Sequence, residues 1–422
     1  MKPTVILDVA FLGHSRRIQR GAERVARHLF EGLRDSGQCQ ISCIATSHLA
    51  GAYDYLRSRG ISADEVLKST PLGLALSGAA RSLTEMVHRS MGDRSIPARA
   101  RRRLLAKIVA WCERGESSFS PAWLEEAQIY HSPHTPFPPV VQASTRIRKF
   151  LTCHDFIPLK NPELFSQNAQ RFMRAVLGCL QPDNFAFCVS ETTRNDVLTY
   201  SKMSPERVFV TPLAADPAVF HPVTDVGQLA AIRERYGLGE APYFLALSAH
   251  DPHKNFGHII ECFGEAVEAG DLSDCNLVIV GPNPGRNPAA VKAIERFPRS
   301  RGKFRILGFV PDEDLAGLYS GAVAFLFPSL AEGFGIPPLE AMQCGVPVIA
   351  SNTTSIPEVV GDAGLLLPPT DTDLWSAARL KLKTDPELCR EFARRSRTRA
   401  QLFSWPRFIE ETLAGYRTSL QS

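Results

Sequence analysis

Two kinds of apolar pattern alternate along this chain, and their order sketches the fold. Thr4–Leu12 is a nearly continuous apolar run, the signature of a buried strand. A long polar loop, GHSRRIQRGAE, follows, and then ERVARHLFEGLRDSG, whose apolar positions recur at helical spacing and stop at Gly37. CQISCIAT reads as the next strand. Strand, loop, helix and strand in that order begin a parallel α/β sheet. From about Ser47 to Phe119 the rhythm changes to mainly helical. It resumes in AQIYHSP, RKFLTCHD and NFAFCVS, short apolar runs that each end in polar residues. The carboxyl ends of strands carry the ligand in an open parallel sheet, so His131, His154, Asp155 and Ser190 are the residues to read.

A second series then restarts the pattern. APYFLALSAH, CNLVIVG, FRILGFV, VAFLFPS and VPVIAS read as strands, with Phe325 and Phe327 in the core. Between them NFGHIIECFGEAVEAG, DEDLAGLYSGA and GIPPLEAMQCG read as helices. The expected division is therefore a first domain over 1–235, with a helical, basic insertion at about 47–119, and a second domain over 236–404. A final helix over 405–422 is expected to pack back toward the first domain. Both domains are of the Rossmann-like α/β class, and a ligand belongs in the cleft between them.

Composition narrows the class. A chain of 422 residues exceeds one ordinary core, and 44 % hydrophobic with 22 % charged residues is globular usage. The apolar run at the N-terminus is too short for a secretory core, and no stretch approaches the ~20 apolar residues that span a bilayer. The ten cysteines are scattered without Cys-x-x-Cys spacing, which fits a reducing, cytoplasmic setting and argues against a zinc site. A net charge of +4 does not call for nucleic acid. The local exception is Arg89–Lys107, with seven arginines and lysines against one aspartate beside apolar residues. That segment suits docking on an anionic membrane surface, and it equally suits a solvated helix face.

The densest chemistry lies in the second half. Lys254, in the tight DPHKN loop between a strand and a helix, can meet a phosphate as a point charge; a surface lysine reads the same way. In EGFGIPPLEAMQCG, Gly333 and Gly335 leave backbone N–H groups approachable ahead of a helix that starts near Pro337 or Pro338 and stops at Gly345. That is an anion seat made of main chain. Two carboxylates flank it, Glu332 before the loop and Glu340 one turn into the helix. They repel a phosphate but accept hydrogen bonds from sugar and ribose hydroxyls, which describes a nucleotide-sugar site. No strand leads into G-x-G-x-x-G, so a dinucleotide dehydrogenase is set aside.

EGFGIPPLE resembles the Glu-x7-Glu motif of the retaining, GT-B-fold glycosyltransferases that use nucleotide-activated sugars (family 4, glycosyl transferases group 1). The similarity runs from LGFVPDEDLAGLYSG to GDAGLLLPP, back through SAHDPHKN, and more weakly through RGAERVARHLFEGL, TCHDFIP and VSETTRNDV. It implies two Rossmann-like domains whose parallel sheets face each other across a deep cleft. It further implies that Lys254 holds the donor diphosphate, with His253 where relatives usually carry arginine, and that Glu340 binds the ribose. Glu332 and the backbone of Gly333, Phe334, Gly335 and Ile336 would hold the transferred sugar, the backbone of Phe309 and Val310 would meet the base, and His154 would sit over the sugar. Gly21, where relatives more often pair two glycines, would approach the phosphate or acceptor. From the residues themselves, His131 and His134 suit a cleft-lining loop on the acceptor side as well as structural roles, and His154 also fits a satisfied strand-end histidine.

The implied reaction is metal-independent hexosyl transfer with retention. A mannose from GDP-mannose is the leading donor, UDP-linked sugars are the alternative, and a glycan or lipid-linked hydroxyl is the acceptor. No cofactor is expected beyond the donor substrate. A GT-B-fold epimerase or phosphorylase, or a non-catalytic nucleotide-sugar binding protein, remains open at this level. The basic segment generates a prediction of its own for an enzyme peripheral to the inner face of the membrane. Neutralising Arg101, Arg102 and Arg103 together should abolish sedimentation with anionic vesicles and leave donor affinity intact; unchanged vesicle binding would exclude membrane docking through this segment.

Overall fold

The computed structural model describes residues 2–13, 21–89, 120–247, 251–281 and 288–421, with 101, 104, 105 and 107–109 between them. Most of the Arg89–Lys107 segment, and Ser248–His250 of the SAHDPHKN stretch, lie outside the described residues.

Two six-stranded sheets, parallel throughout, organise the chain. The first contains β1 (Thr4–Asp8), β2 (Gln40–Ile44), β3 (Ile129–Ser132), β4 (Arg148–Cys153), β5 (Phe185–Cys188) and β6 (Val208–Val210), in the order β2-β1-β3-β4-β5-β6. The second contains β7 (Tyr243–Leu247), β8 (Asn276–Val280), β9 (Phe304–Gly308), β10 (Ala324–Phe327), β11 (Val348–Ser351) and β12 (Leu365–Leu367), in the order β12-β11-β10-β7-β8-β9. Read from β9, the second order is the doubly wound one, whose chain reverses direction of travel between β7 and β10. A crevice opens at such a reversal, because the loops leaving the two strands diverge to opposite faces.

Three details differ from the sequence pattern. The first strand ends at Asp8 rather than Leu12, because the Asp8 carboxylate accepts the backbone N–H of Ala10 at 3.0 Å and the Thr46 hydroxyl at 2.6 Å. That capture turns the apolar residues after it into a 3-10 turn, Ala10–Gly13. Strands β6 and β12 carry no periodic signal because each has only three residues.

One apolar cluster runs through both domains, from Leu29, Phe150 and Phe187 through Phe220 to Tyr319 and Phe325. The last helix, Trp405–Gln421, packs on helix α1 (Ala22–Ser36) and on the first sheet, whereas the preceding helix, Pro386–Ala400, packs on Ile336–Gln343 of the second domain. Gly415 makes the crossing close: a Cβ there would lie 2.5 Å from the Phe187 ring. Its neighbour Tyr416 reaches His131, with hydroxyl oxygen and Nδ1 2.5 Å apart, while His131 Nε2 is 2.8 Å from the Thr152 hydroxyl.

The placement of His131 on an acceptor-side loop is therefore corrected. Its ring is fully buried, both nitrogens are occupied, and burial pushes its pKa down to about 3. Strand β3 points it inward, where it pins the C-terminal helix. Replacing Tyr416→Phe leaves one imidazole nitrogen buried and unpaired, and the expected cost is about 1–3 kcal/mol. A lower midpoint in chemical denaturation of the full chain is the check; an unchanged midpoint would contradict the contact.

Candidate active site

The loops that leave β7 and β10 at the reversal carry Lys254 and Glu332. Lys254 ends a 3-10 turn, Pro252–Lys254, and its ammonium donates to both oxygens of Glu332, at 2.7 and 2.9 Å. The loops are tied together by main chain. The Leu330 N–H donates to the His253 carbonyl at 2.7 Å, and the Glu332 N–H donates to the Thr354 hydroxyl at 2.9 Å. The Ser355 hydroxyl lies 2.9 Å from the carbonyls of both Glu332 and Phe334. An ammonium has three donors, so Lys254 keeps one direction open while Glu332 orients it.

Beyond this pair, Gly335 takes φ 114°, a left-handed conformation that lets the chain turn into helix Ile336–Gln343. Pro337 and Pro338 occupy the first turn, where a missing N–H costs nothing. Glu340 lies on the inner face of this helix and is only 5 % exposed. The Tyr319 hydroxyl donates to its Oε2 at 3.3 Å, and the Arg24 guanidinium donates to its Oε1. A second Arg24 nitrogen donates to Asp312 at 2.9 Å. Burial raises the pKa of Glu340, and Arg24 works against that rise.

Arg24 was not singled out from the sequence, although a signal existed. A cation in the first turn of a helix opposes the macrodipole, so it calls for partners from elsewhere.

The first domain closes the site from the other side. His154, just past β4, donates from Nε2 to the Pro133 carbonyl at 2.8 Å. That bond places the proton on Nε2 and leaves Nδ1 as the acceptor, and burial lowers the ring's pKa so that it stays neutral. Where the domains touch there is no space to spare. A Cβ on Gly333 would lie 1.8 Å from the His154 carbonyl oxygen and 2.9 Å from Cβ of Asp155. The Gly333 carbonyl accepts the Ser190 hydroxyl at 2.7 Å. Beside it, Glu358 of the second domain caps helix Glu191–Tyr200 of the first, accepting the N–H groups of Glu191 at 2.7 Å and Thr192 at 2.8 Å. A cavity of about 90 Å³ remains between the domains, lined by Asp155, Lys160, Thr192, Glu332 and Thr354 among others.

The residues expected from the sequence thus fall into groups. Lys254, Glu332, Gly333 and His154 come together at the seam. Phe334, Gly335 and Ile336 lead from it into the helix that carries Glu340. Val310 is buried and Phe309 is 56 % exposed, both between β9 and the Asp312–Ser320 helix. Gly21 caps α1 three residues before Arg24, with φ 58°. His253 stacks on Phe165 of the first domain, ring centroids 5.2 Å apart, and its Nδ1 is buried without a hydrogen-bond partner. His131 stands apart, as described above.

Residues 230–399, which contain Lys254, Glu332 and Glu340, match the family model described as glycosyl transferases group 1. The O-antigen chain mannosyltransferase B of Escherichia coli is 32 % identical over 290 residues, which are 68 % of this chain and 74 % of that protein. The chain belongs to the glycosyl transferases group 1. A serotype-specific mannosyltransferase, WbdA of Escherichia coli, is 28 % identical over 274 residues, 64 % of this chain but only 33 % of that longer protein. Among solved structures, Anabaena HepE in complex with UDP superposes with a TM-score of 0.68 at 16 % identity, over 99 % of this chain and 100 % of that one. The fold is GT-B, and the group 1 enzyme described here is a hexosyltransferase.

The seam yields a sharp test of this glycosyltransferase. A methyl group at position 333 cannot coexist with the His154 carbonyl, so Gly333→Ala should force the domains apart. A displacement of that size is expected to lower transfer by on the order of a hundredfold. The melting temperature should stay near wild type and the solution radius of gyration should rise. Near-full activity would show that the seam does not close in the working enzyme.

Proposed function

We propose that the enzyme transfers a hexose, with mannose from GDP-mannose as the leading donor, to a hydroxyl of a glycan or lipid-linked acceptor, with retention and without a metal. The observation that carries the reading is the Lys254–Glu332 pair at the β7/β10 reversal, seated beside the Gly333–Gly335 main chain. The likeness to mannosyltransferases supports the sugar. UDP-linked sugars are the alternative donors, which the likeness in fold to a protein crystallised with UDP keeps in view.

In this reading Lys254 holds the donor diphosphate, with His253 alongside, and Glu340 accepts the ribose hydroxyls. The backbone of Phe309 and Val310 meets the base. Glu332, with the backbone of Gly333 to Ile336, holds the sugar, and His154 covers it, its Nδ1 free to accept from a sugar hydroxyl. Gly21 lies on the approach of the phosphate or the acceptor. The bond from the anomeric carbon to the phosphate oxygen breaks, and the acceptor oxygen bonds to the same face. The acceptor's proton passes to the departing phosphate. Lys254 supplies positive charge where negative charge develops, the preorganised stabilisation on which such a step depends. No glutamate is needed as a covalent nucleophile, unlike the paired carboxylates of retaining hydrolases. The basic stretch Arg89–Lys107 would bring the enzyme to an anionic, lipid-bearing membrane face on the cytoplasmic side.

A thermal-shift screen of nucleotide sugars, followed by transfer to an acceptor and assignment of the product anomer, tests the whole reading. Lys254→Ala should lose nearly all transfer, EDTA should leave the wild-type rate unchanged, and the product should keep the donor's anomeric configuration. Full activity in the lysine variant refutes the site; an inverted product refutes the mechanism.

A further inference from the structure

We infer that Arg24 is a positioning residue for the donor's ribose, lent by the first domain to a carboxylate of the second. The inference deepens the reading of Glu340 as the ribose acceptor and rests on it.

The geometry begins with how a carboxylate shares its lone pairs. Two oxygens offer about four acceptor directions. Arg24 takes one direction on Oε1 of Glu340, and the Tyr319 hydroxyl takes one on Oε2, at 3.3 Å. Each oxygen keeps one direction, so the pair of remaining sites matches the two O–H donors of a vicinal diol. A protonated carboxyl would not serve, because one of its oxygens becomes a donor. Glu340 is buried and Tyr319 is neutral, so the charge has to be held by a cation. Arg24 is the cation bonded to it, itself only 5 % exposed.

The guanidinium is fixed on three sides. One nitrogen holds Glu340, another holds Asp312 at 2.9 Å, and the fork lies 5.5 Å from the centre of the Phe220 ring. Both carboxylates belong to the second domain, whereas Arg24 lies in the first turn of α1 in the first. The ribose acceptor is therefore complete only when the domains meet, which ties nucleotide binding to closure.

The test uses the intact chain and titration calorimetry with GDP, UDP and their 2′,3′-dideoxy counterparts. Wild type should bind a ribonucleotide on the order of tenfold more tightly than its dideoxy counterpart. Arg24→Met should bring that preference to within about threefold, by weakening the ribonucleotide and leaving the dideoxy form nearly unchanged. Tyr319→Phe should lose a smaller part of it. Arg24→Lys keeps the charge without the fork and should give an intermediate preference, which carries the comparison if the methionine variant does not fold. A wild-type preference in the arginine variants, or equal weakening of both nucleotide forms, overturns the inference. If wild type itself shows no preference for the ribose, the reading of Glu340 fails instead, whatever Arg24 does.

Discussion

The contact on which this molecule turns is a missing side chain. Gly333 rests on the His154 carbonyl so closely that no Cβ fits, and this brings the carboxyl ends of two parallel sheets into register. His154 owes its place beside the Lys254–Glu332 pair to it. Ser190 and Glu358 lock the same seam with hydrogen bonds that use one domain's carbonyl and carboxylate to satisfy the other domain's hydroxyl and helix N-terminus. An exposed helix end and an exposed carbonyl would otherwise take water, so closure exchanges one set of partners for another at small net cost. Such a seam can open and shut, which the proposed uptake of a nucleotide sugar requires.

Buried charge gives the seam its specificity. Arg24, Glu340 and Asp312 form an ionic group at the domain boundary, and desolvation consumes much of its Coulombic gain. In this placement of the domains each of the three charges has a partner. Lys254–Glu332 plays a different part. It lies within one domain, is partly exposed, and aims a cation at the place where the proposed reaction develops negative charge.

Much of the fold was legible because parallel sheets buried on both faces write continuous apolar runs into the sequence. The strands around β1 to β5 and β7 to β11 announce themselves in this way, and DPHKN and EGFGIPPLE mark the loops where chemistry collects. The misses have physical causes. Strands β6 and β12 are too short for any period to show. Asp8 captures backbone N–H groups and ends its strand inside an apolar run. His131 stands at a strand end beside a loop histidine, and hydropathy does not tell an inward ring from a cleft-lining one. Arg24 was overlooked because its partners are far away along the chain, two of them in the other domain.

The sequence by itself determined the class of fold, the two sheets and the loops that bear Lys254, Glu332 and Glu340, since period, punctuation and residue type are local properties of the chain. The tertiary structure alone decided which of those groups meet. It paired Lys254 with Glu332, buried Glu340 against an arginine from the other domain, turned His131 into a strut for Tyr416 and set Gly333 on His154. These are contacts between residues distant along the chain, set by strand order and domain closure, and no local pattern encodes them.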